Sequence, residues 1–241
     1  MATPSYLTTC TKNEPLNEAV FELKLRLPGD QKLSFKAGQF VLFDVPLVTN
    51  PSEIQSRAYS IASPPSDDQE LTFVIMNKEG GRATRWVAEM LKVGDEVRIQ
   101  GPFGVFTPSY ENPKDFLFVA TGTGVAPFYS MAFDALKRVV ERRHIHLVFG
   151  TRYEKHLFWI DKFDALASTH PNFHLHVALT KPNEKWSGLR GRVTEVIPSI
   201  IADFSSVQSY ICGSPEMVKD TKEWLFARGM EKKEVHTEGY V

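Results

Sequence analysis

From Ala19 to Leu27 the chain alternates, with Phe21, Leu23, Leu25 and Leu27 set against Val20, Glu22, Lys24 and Arg26, until Pro28-Gly29-Asp30 turns it. Period-two alternation closed by a turn predicts a half-buried strand. Similar runs at Phe40–Val45, Arg57–Ala62, Leu71–Met76 and Glu96–Gln100 are separated by clusters of Gly, Pro, Asp and Ser. An antiparallel barrel is the economical expectation for this half. One helix interrupts it: Thr84, Val87, Ala88 and Leu91 share a face, directly after Gly80-Gly81 and before a closing Gly94.

Beyond Pro113 the period changes. An apolar run at Phe116–Thr121 is followed by a helical face of Phe128, Met131, Ala132, Ala135, Leu136 and Val139, then by a strand at Ile145–Phe149. This is a βαβ unit. Strand-like segments at Phe173–Leu179 and Ser209–Cys212, with helical ones at Val193–Ile200 and Pro215–Ala227, extend it to an α/β domain with a mostly parallel sheet. The reading is therefore two domains, 1–108 and 109–241, joined through the Pro-, Ser- and Asn-rich stretch Thr107–Lys114.

Composition narrows the function classes. A net charge of −1 with 24% charged residues argues against a general nucleic-acid binder or a polybasic membrane binder. Two cysteines, Cys10 and Cys212, are too few for a four-cysteine zinc or iron–sulfur centre. Met1–Cys10 lacks a basic segment followed by an apolar core, and no apolar run approaches the roughly 20 residues that span a bilayer. The expectation is a cytoplasmic chain with both thiols reduced.

Gly122-Thr123-Gly124 falls between a buried strand and a helix. Glycines there let the backbone approach a diphosphate at a helix N-terminus, although Pro127 stands where a GxGxxG fingerprint has its third glycine. Taken alone, the turn reads equally well as ordinary loop chemistry. Arg57 and Tyr59 alternate with Ala58 and Ser60, which places a phosphate-binding guanidinium and a phenol on one strand face and the Ser60 hydroxyl on the other. Alone, that pair is also an ordinary surface pair. Gly80-Gly81-Arg82-Ala83-Thr84, at a helix start, offers further amides and a hydroxyl to a diphosphate.

Six motifs in order carry a resemblance: Arg57-Ala58-Tyr59-Ser60, Gly80 to Thr84, Gly101-Pro102-Phe103-Gly104, Gly122 to Pro127, Phe149-Gly150-Thr151-Arg152 and Cys212-Gly213-Ser214-Pro215-Glu216-Met217. Together they resemble the ferredoxin–NADP reductase family, flavoenzymes with an FAD-binding barrel followed by a pyridine-nucleotide domain. The resemblance implies that Arg57 and Ala58 hold the FAD diphosphate, that Tyr59 covers the isoalloxazine, and that Ser60 lies near flavin N5. It implies that Val74, Met76 and Gly80, Gly81, Arg82, Ala83 and Thr84 complete the FAD site. In the second domain it places Thr123 and Gly124 on the nucleotide diphosphate, with Cys212 near the nicotinamide. Glu238 would help to position that ring, and Tyr240 would modulate access to the flavin.

By the same resemblance, Arg152, Lys181 and Arg192 are basic positions for the adenosine 2′-phosphate of NADPH, with Arg190 a further candidate and NADH the alternative. Electrons would leave singly to a ferredoxin, a flavodoxin or another carrier, from a monomer. Three other readings stay open: the reductase component of a multicomponent oxygenase or hydrogenase, a flavin reductase, and a non-catalytic nucleotide-binding subunit. Two further features read as structural. His144/His146 and His174/His176 alternate along strands with no carboxylate or cysteine to complete a metal set, so no metal site is expected. Lys137, Arg138, Arg142 and Arg143 complement a helix C-terminus, with docking of an acidic carrier as the alternative.

Overall fold

The computed structural model describes residues 3–47, 50–65, 69–78, 81–138 and 143–240. Of the positions singled out above, Met1, Gly80, Val139 and Arg142 lie outside the described residues, and for Arg82 and Ala83 the description is limited to the backbone. The chain divides into two compact units, Met1–Thr107 and Pro108–Val241.

The first unit is one six-stranded antiparallel sheet. Its strands are β1 (Ser5–Pro15), β2 (Val20–Arg26), β3 (Phe40–Leu47), β4 (Asn50–Ser60), β5 (Glu70–Met76) and β6 (Glu96–Phe103), with helix α1 (Arg82–Glu89) between β5 and β6. The order is β4-β3-β6-β1-β2-β5. The sheet curls until its end strands β4 and β5 meet, and the Ala62 amide donates to the Thr72 carbonyl at 2.8 Å across that closure. The alternating apolar positions explain the curl. Leu23, Leu25, Val41, Phe43, Phe73, Ile75 and Ile99 all point inward and form one buried cluster, which α1 caps with Trp86 and Val87. Asn13 holds that helix by donating to the carbonyls of Val87 at 2.7 Å and Leu91 at 2.9 Å.

The second unit is a wholly parallel sheet of β7 (Asp115–Thr121), β8 (Ile145–Thr151), β9 (Phe173–Leu179), β10 (Leu189–Arg190), β11 (Val207–Gly213) and β12 (Val235–Gly239). Among the described residues, four α-helices accompany it: α2 (Ala126–Arg138), α3 (Ile160–Thr169), α4 (Val193–Val196) and α5 (Pro215–Phe226). The order β10-β9-β8-β7-β11-β12 reverses direction at β7 and β11, which makes their carboxyl ends the switch point where such sheets bind ligands. Within the sheet, Phe116, Phe118, Phe149 and Tyr210 are fully buried, and each buried aromatic ring contributes about 2 kcal/mol. The segment that leads into β7 is fastened to this unit. The Ser109 amide donates to the Tyr210 hydroxyl at 2.9 Å, and Asn112 donates to Glu234 at 2.7 Å.

Two segments go beyond or depart from the sequence reading. The polar tail 235–239 is a parallel strand registered on β11, Cys212 opposite Glu238. The segment expected as one helix over Val193–Ile200 is a single α-turn followed by a 3-10 turn at Ile197–Ser199, because Pro198 cannot donate the hydrogen bond that would continue it. Of the basic cluster, Lys137 and Arg138 at the end of α2 are exposed. Arg143 is buried, donates to the Lys114 and Tyr110 carbonyls and lies 4.6 Å over the Phe116 ring, while Arg138 pairs with Asp134 at 2.9 Å.

Candidate cofactor-binding site

In the barrel the Arg-Ala-Tyr-Ser segment forms the last four residues of β4, and its register on β3 puts Arg57 opposite Phe43 and Tyr59 opposite Val41. The two side chains therefore lean to the same face but meet different surroundings. Tyr59 is half-buried, with its ring 4.7 Å from Phe43, edge to face. Burial pushes its hydroxyl up to about 12, with Arg57 opposing the rise, so the phenol stays protonated at physiological pH. Arg57 is exposed and donates to the Ser56 carbonyl at 2.9 Å and to the Gln55 side chain. Ala58 is exposed and Ser60 buried on the opposite face.

Val74 and Met76 share the outer face of β5, Val74 buried and Met76 exposed, and lead toward the loop before α1. Gly81 is the N-cap of α1 and carries no side chain to cap the helix. A Cβ on Gly81 would stand 2.5 Å from Thr84 Oγ1 and 2.8 Å from the Lys78 carbonyl. Thr84 closes the loop by accepting from the Lys78 amide at 3.2 Å. The first turn of α1 has backbone amides with no helical acceptor, a fit to a phosphate group.

In the second unit, Gly122–Val125 is a 3-10 turn between β7 and α2, and Thr123 and Gly124 are buried in it. Gly124 sits directly on the end of β11. A Cβ there would lie 2.3 Å from the Cys212 carbonyl oxygen and 2.6 Å from Gly213 Cα. Gly213 has φ +149°, and a Cβ on it would meet Thr121 Oγ1 at 2.4 Å. Thr121 Oγ1 also accepts from the Ser214 amide at 3.3 Å, and Ser214 caps α5 by accepting from Met217. Two glycines and a threonine hydroxyl therefore bring the starts of α2 and α5 to the switch point. Thr121 and Ser214 were given no role from the sequence, Ser214 entering only as part of a motif. Their signal is a hydroxyl residue at the end of each central strand, and it gains meaning only when β7 and β11 are neighbours.

Cys212 ends in this junction, fully buried. Burial pushes its thiol far up, the Glu238 carboxylate adds to the rise, and a hydrogen bond with the Tyr240 side chain opposes it. The thiol is protonated and covered. The Tyr240 amide donates to the Gly213 carbonyl at 3.0 Å, so Glu238 and Tyr240 are held beside Cys212 within the same unit.

The basic candidates separate into three situations. Arg152 and Lys181 are exposed at the carboxyl ends of β8 and β9, and the Lys181 amide donates to the Arg152 carbonyl at 2.9 Å. Arg190 is spent on structure, donating to the carbonyls of Asn183, Glu184 and Trp186. Arg192 faces α5, 3.4 Å from Asp220 and 3.8 Å from Glu216.

Both units have counterparts among known proteins. Residues 8–107 match the oxidoreductase FAD-binding domain family and residues 118–223 the oxidoreductase NAD-binding domain family. The chain is 33% identical to ferredoxin–NADP reductase B of Sorangium cellulosum over 94% of this chain and 93% of that one. It belongs to the ferredoxin–NADP reductase family. This family member is an FAD-dependent oxidoreductase with a nicotinamide nucleotide-binding domain. It is also 34% identical to the reductase component of phenol 2-monooxygenase from a Pseudomonas species, over 80% of this chain, which spans about half (54%) of that relative. Among solved structures, the family member superposes on a ferredoxin NADP+ reductase of Neisseria gonorrhoeae with bound FAD and NADP, with a TM-score of 0.83 at 22% identity and 99% of both chains covered. A cytochrome P450 reductase of Amycolatopsis gives a TM-score of 0.90 at 26% identity, covering 99% of this chain and 71% of that one. Among the described residues, no helix is long and apolar enough to cross a membrane.

Proposed function

We propose that this family member moves hydride between NADPH and FAD and single electrons between the flavin and a ferredoxin or flavodoxin. Bound FAD supplies the conversion between two-electron and one-electron chemistry, and the residues of the chain supply binding, orientation and exclusion of water. Arg57 exchanges its contacts with Gln55 and Ser56 for the FAD diphosphate, joined by the amides from Gly80 to Thr84 and by the Thr84 hydroxyl. Val74, Met76 and Ala58 give apolar contact. Tyr59, protonated and backed by Phe43, offers a ring face and a donor, and Ser60 offers a hydroxyl to the flavin ring.

Thr123 and Gly124 hold the diphosphate of the nucleotide at the start of α2. Cys212, Glu238 and Tyr240 form the nicotinamide end, where the protonated thiol gives a soft, uncharged contact. Glu238 orients the ring and Tyr240 has to release Cys212 for the ring to enter. The observation that supports NADPH is the Arg152–Lys181 pair, two exposed cations held side by side by a main-chain hydrogen bond at 2.9 Å. Arg192, engaged by Asp220 and Glu216, favours a second reading as the NADH-dependent reductase component of a multicomponent oxygenase. Two buried unpaired thiols support a reducing, cytoplasmic compartment. Arg152→Ala tests the nucleotide choice: NADPH affinity should fall about tenfold, the scale of one charge-assisted contact, while NADH affinity holds. Equal effects on both nucleotides would remove Arg152 from the phosphate site and leave the NADH reading.

A further inference from the structure

We propose that His144 and His146 bind a divalent transition cation of the zinc–copper class through their Nε2 atoms, at the opposite end of the parallel sheet from the nucleotide turn. His144 precedes β8 and His146 lies in it, while His174 and His176 lie in the neighbouring β9. Parallel register sets His146 beside His174 and Val148 beside His176, so the four rings form one stacked ladder on a single sheet face. Ring centroids are 5.1 Å apart for His144 and His174, 4.8 Å for His146 and His174, and 5.5 Å for His146 and His176.

The polarity of the ladder points to a ligand. His144 Nδ1 meets His174 Nε2 at 2.8 Å, and His146 Nδ1 meets His176 Nε2 at 3.2 Å. Both β8 histidines are thus held through the same ring atom. When Nδ1 donates its proton to the β9 ring, Nε2 carries the lone pair, the tautomer and outer hydrogen bond that a metal-binding imidazole uses. The His144 and His146 rings are tilted by 31° with centroids 6.1 Å apart. Two imidazoles on one ion at about 2.0 Å place their centroids about 5 Å apart, so a closure of about 1 Å makes the chelate. His144 is exposed and has room to swing.

The surroundings favour a borderline cation with open positions. Among the described residues no three ligating side chains converge on one point, so water completes the coordination. His146, His174 and His176 line a cavity of about 510 Å³ together with Trp186 and Ile200, which leaves space for that water. The nearby carboxylate, Asp115, accepts the His144 amide at 2.8 Å and lowers the cost of bringing in positive charge. Imidazole ligands select zinc, nickel or copper over magnesium or calcium.

The test uses the untagged, FAD-loaded full chain, stripped with a chelator and titrated with Cu²⁺ by calorimetry and by tryptophan fluorescence. One saturable equivalent is expected, with quenching that disappears in Trp186→Phe. His144→Asn and His146→Asn should each raise Kd at least tenfold. Since His144 is exposed, its variant keeps the test valid even where the half-buried His146 position tolerates no change. Absence of saturable binding, Asn variants that bind like the wild type, or quenching that survives Trp186→Phe would each overturn the proposal.

Discussion

In the nucleotide unit, Gly124 meets the end of β11 backbone to backbone, with no space for a Cβ within 2.3 Å of the Cys212 carbonyl. In the barrel, by contrast, the residues proposed to hold FAD are side chains occupied with their own strand or loop: Arg57 with Ser56 and Gln55, Thr84 with Lys78. The first cradle is part of the packing of the sheet and exists whether or not a nucleotide is present. The second is assembled from rotamers that must be redirected when the diphosphate arrives. Function is therefore separable from stability in the barrel and inseparable from it at the glycine turn.

The largest effect should come from Gly124→Ala. The added Cβ overpacks a main-chain junction that has no flexible side chain to yield, at a cost of about 3 kcal/mol and a fall of about 10 °C in Tm. Nucleotide binding should be lost with it, while FAD content stays at one per chain. A variant with wild-type melting and nucleotide affinity would show that the close approach is not required.

Arg57→Ala should do the reverse. Loss of a charge-assisted phosphate contact weakens FAD by about 2 kcal/mol, roughly 30-fold in Kd, as read by fluorescence titration of the flavin-free protein. Because Arg57 is exposed, the stability of that flavin-free protein should stay within about 0.5 kcal/mol of wild type. Joint loss of stability and affinity would erase the contrast between the two units.

The smallest effect concerns Cys212. Its thiol is held protonated in the folded chain and ionises at a lower pH once unfolded, so stability is full below the ordinary thiol pKa and declines as pH rises past about 9. Denaturant unfolding between pH 7 and 10 should show a shallower decline for Cys212→Ala than for wild type. Identical slopes would mean that the sulfur is not sequestered.

Much of the fold is legible because its strands and helices keep clean periods. Residues 21–26 alternate apolar and polar along the sequence, although Glu22 is buried in the fold, and β9 covers the strand-like segment at 173–179. The misses have physical causes. β1 buries Thr8 beside Cys10, so its inward face does not look apolar. α3 starts after Trp159 in the left-handed conformation, φ 58°, with no side-chain cap to announce it. β12 contains one aliphatic residue and is a strand only because β11 offers a partner. At the site, the motifs mark which residues gather, but their order along the chain is silent on neighbours. That Arg190 is consumed by carbonyls, that Arg192 turns to α5, and that Tyr240 reaches Cys212 are all facts of packing.

The central claim, that nucleotide and flavin exchange electrons in this chain, is tested most directly by its visible spectrum. The purified protein is supplied with FAD, made anaerobic and mixed with one equivalent of NADPH or NADH. The account predicts a flavin absorbance that survives desalting and bleaches on mixing, faster with NADPH. A protein that retains no flavin, or whose flavin neither nucleotide bleaches, would contradict it.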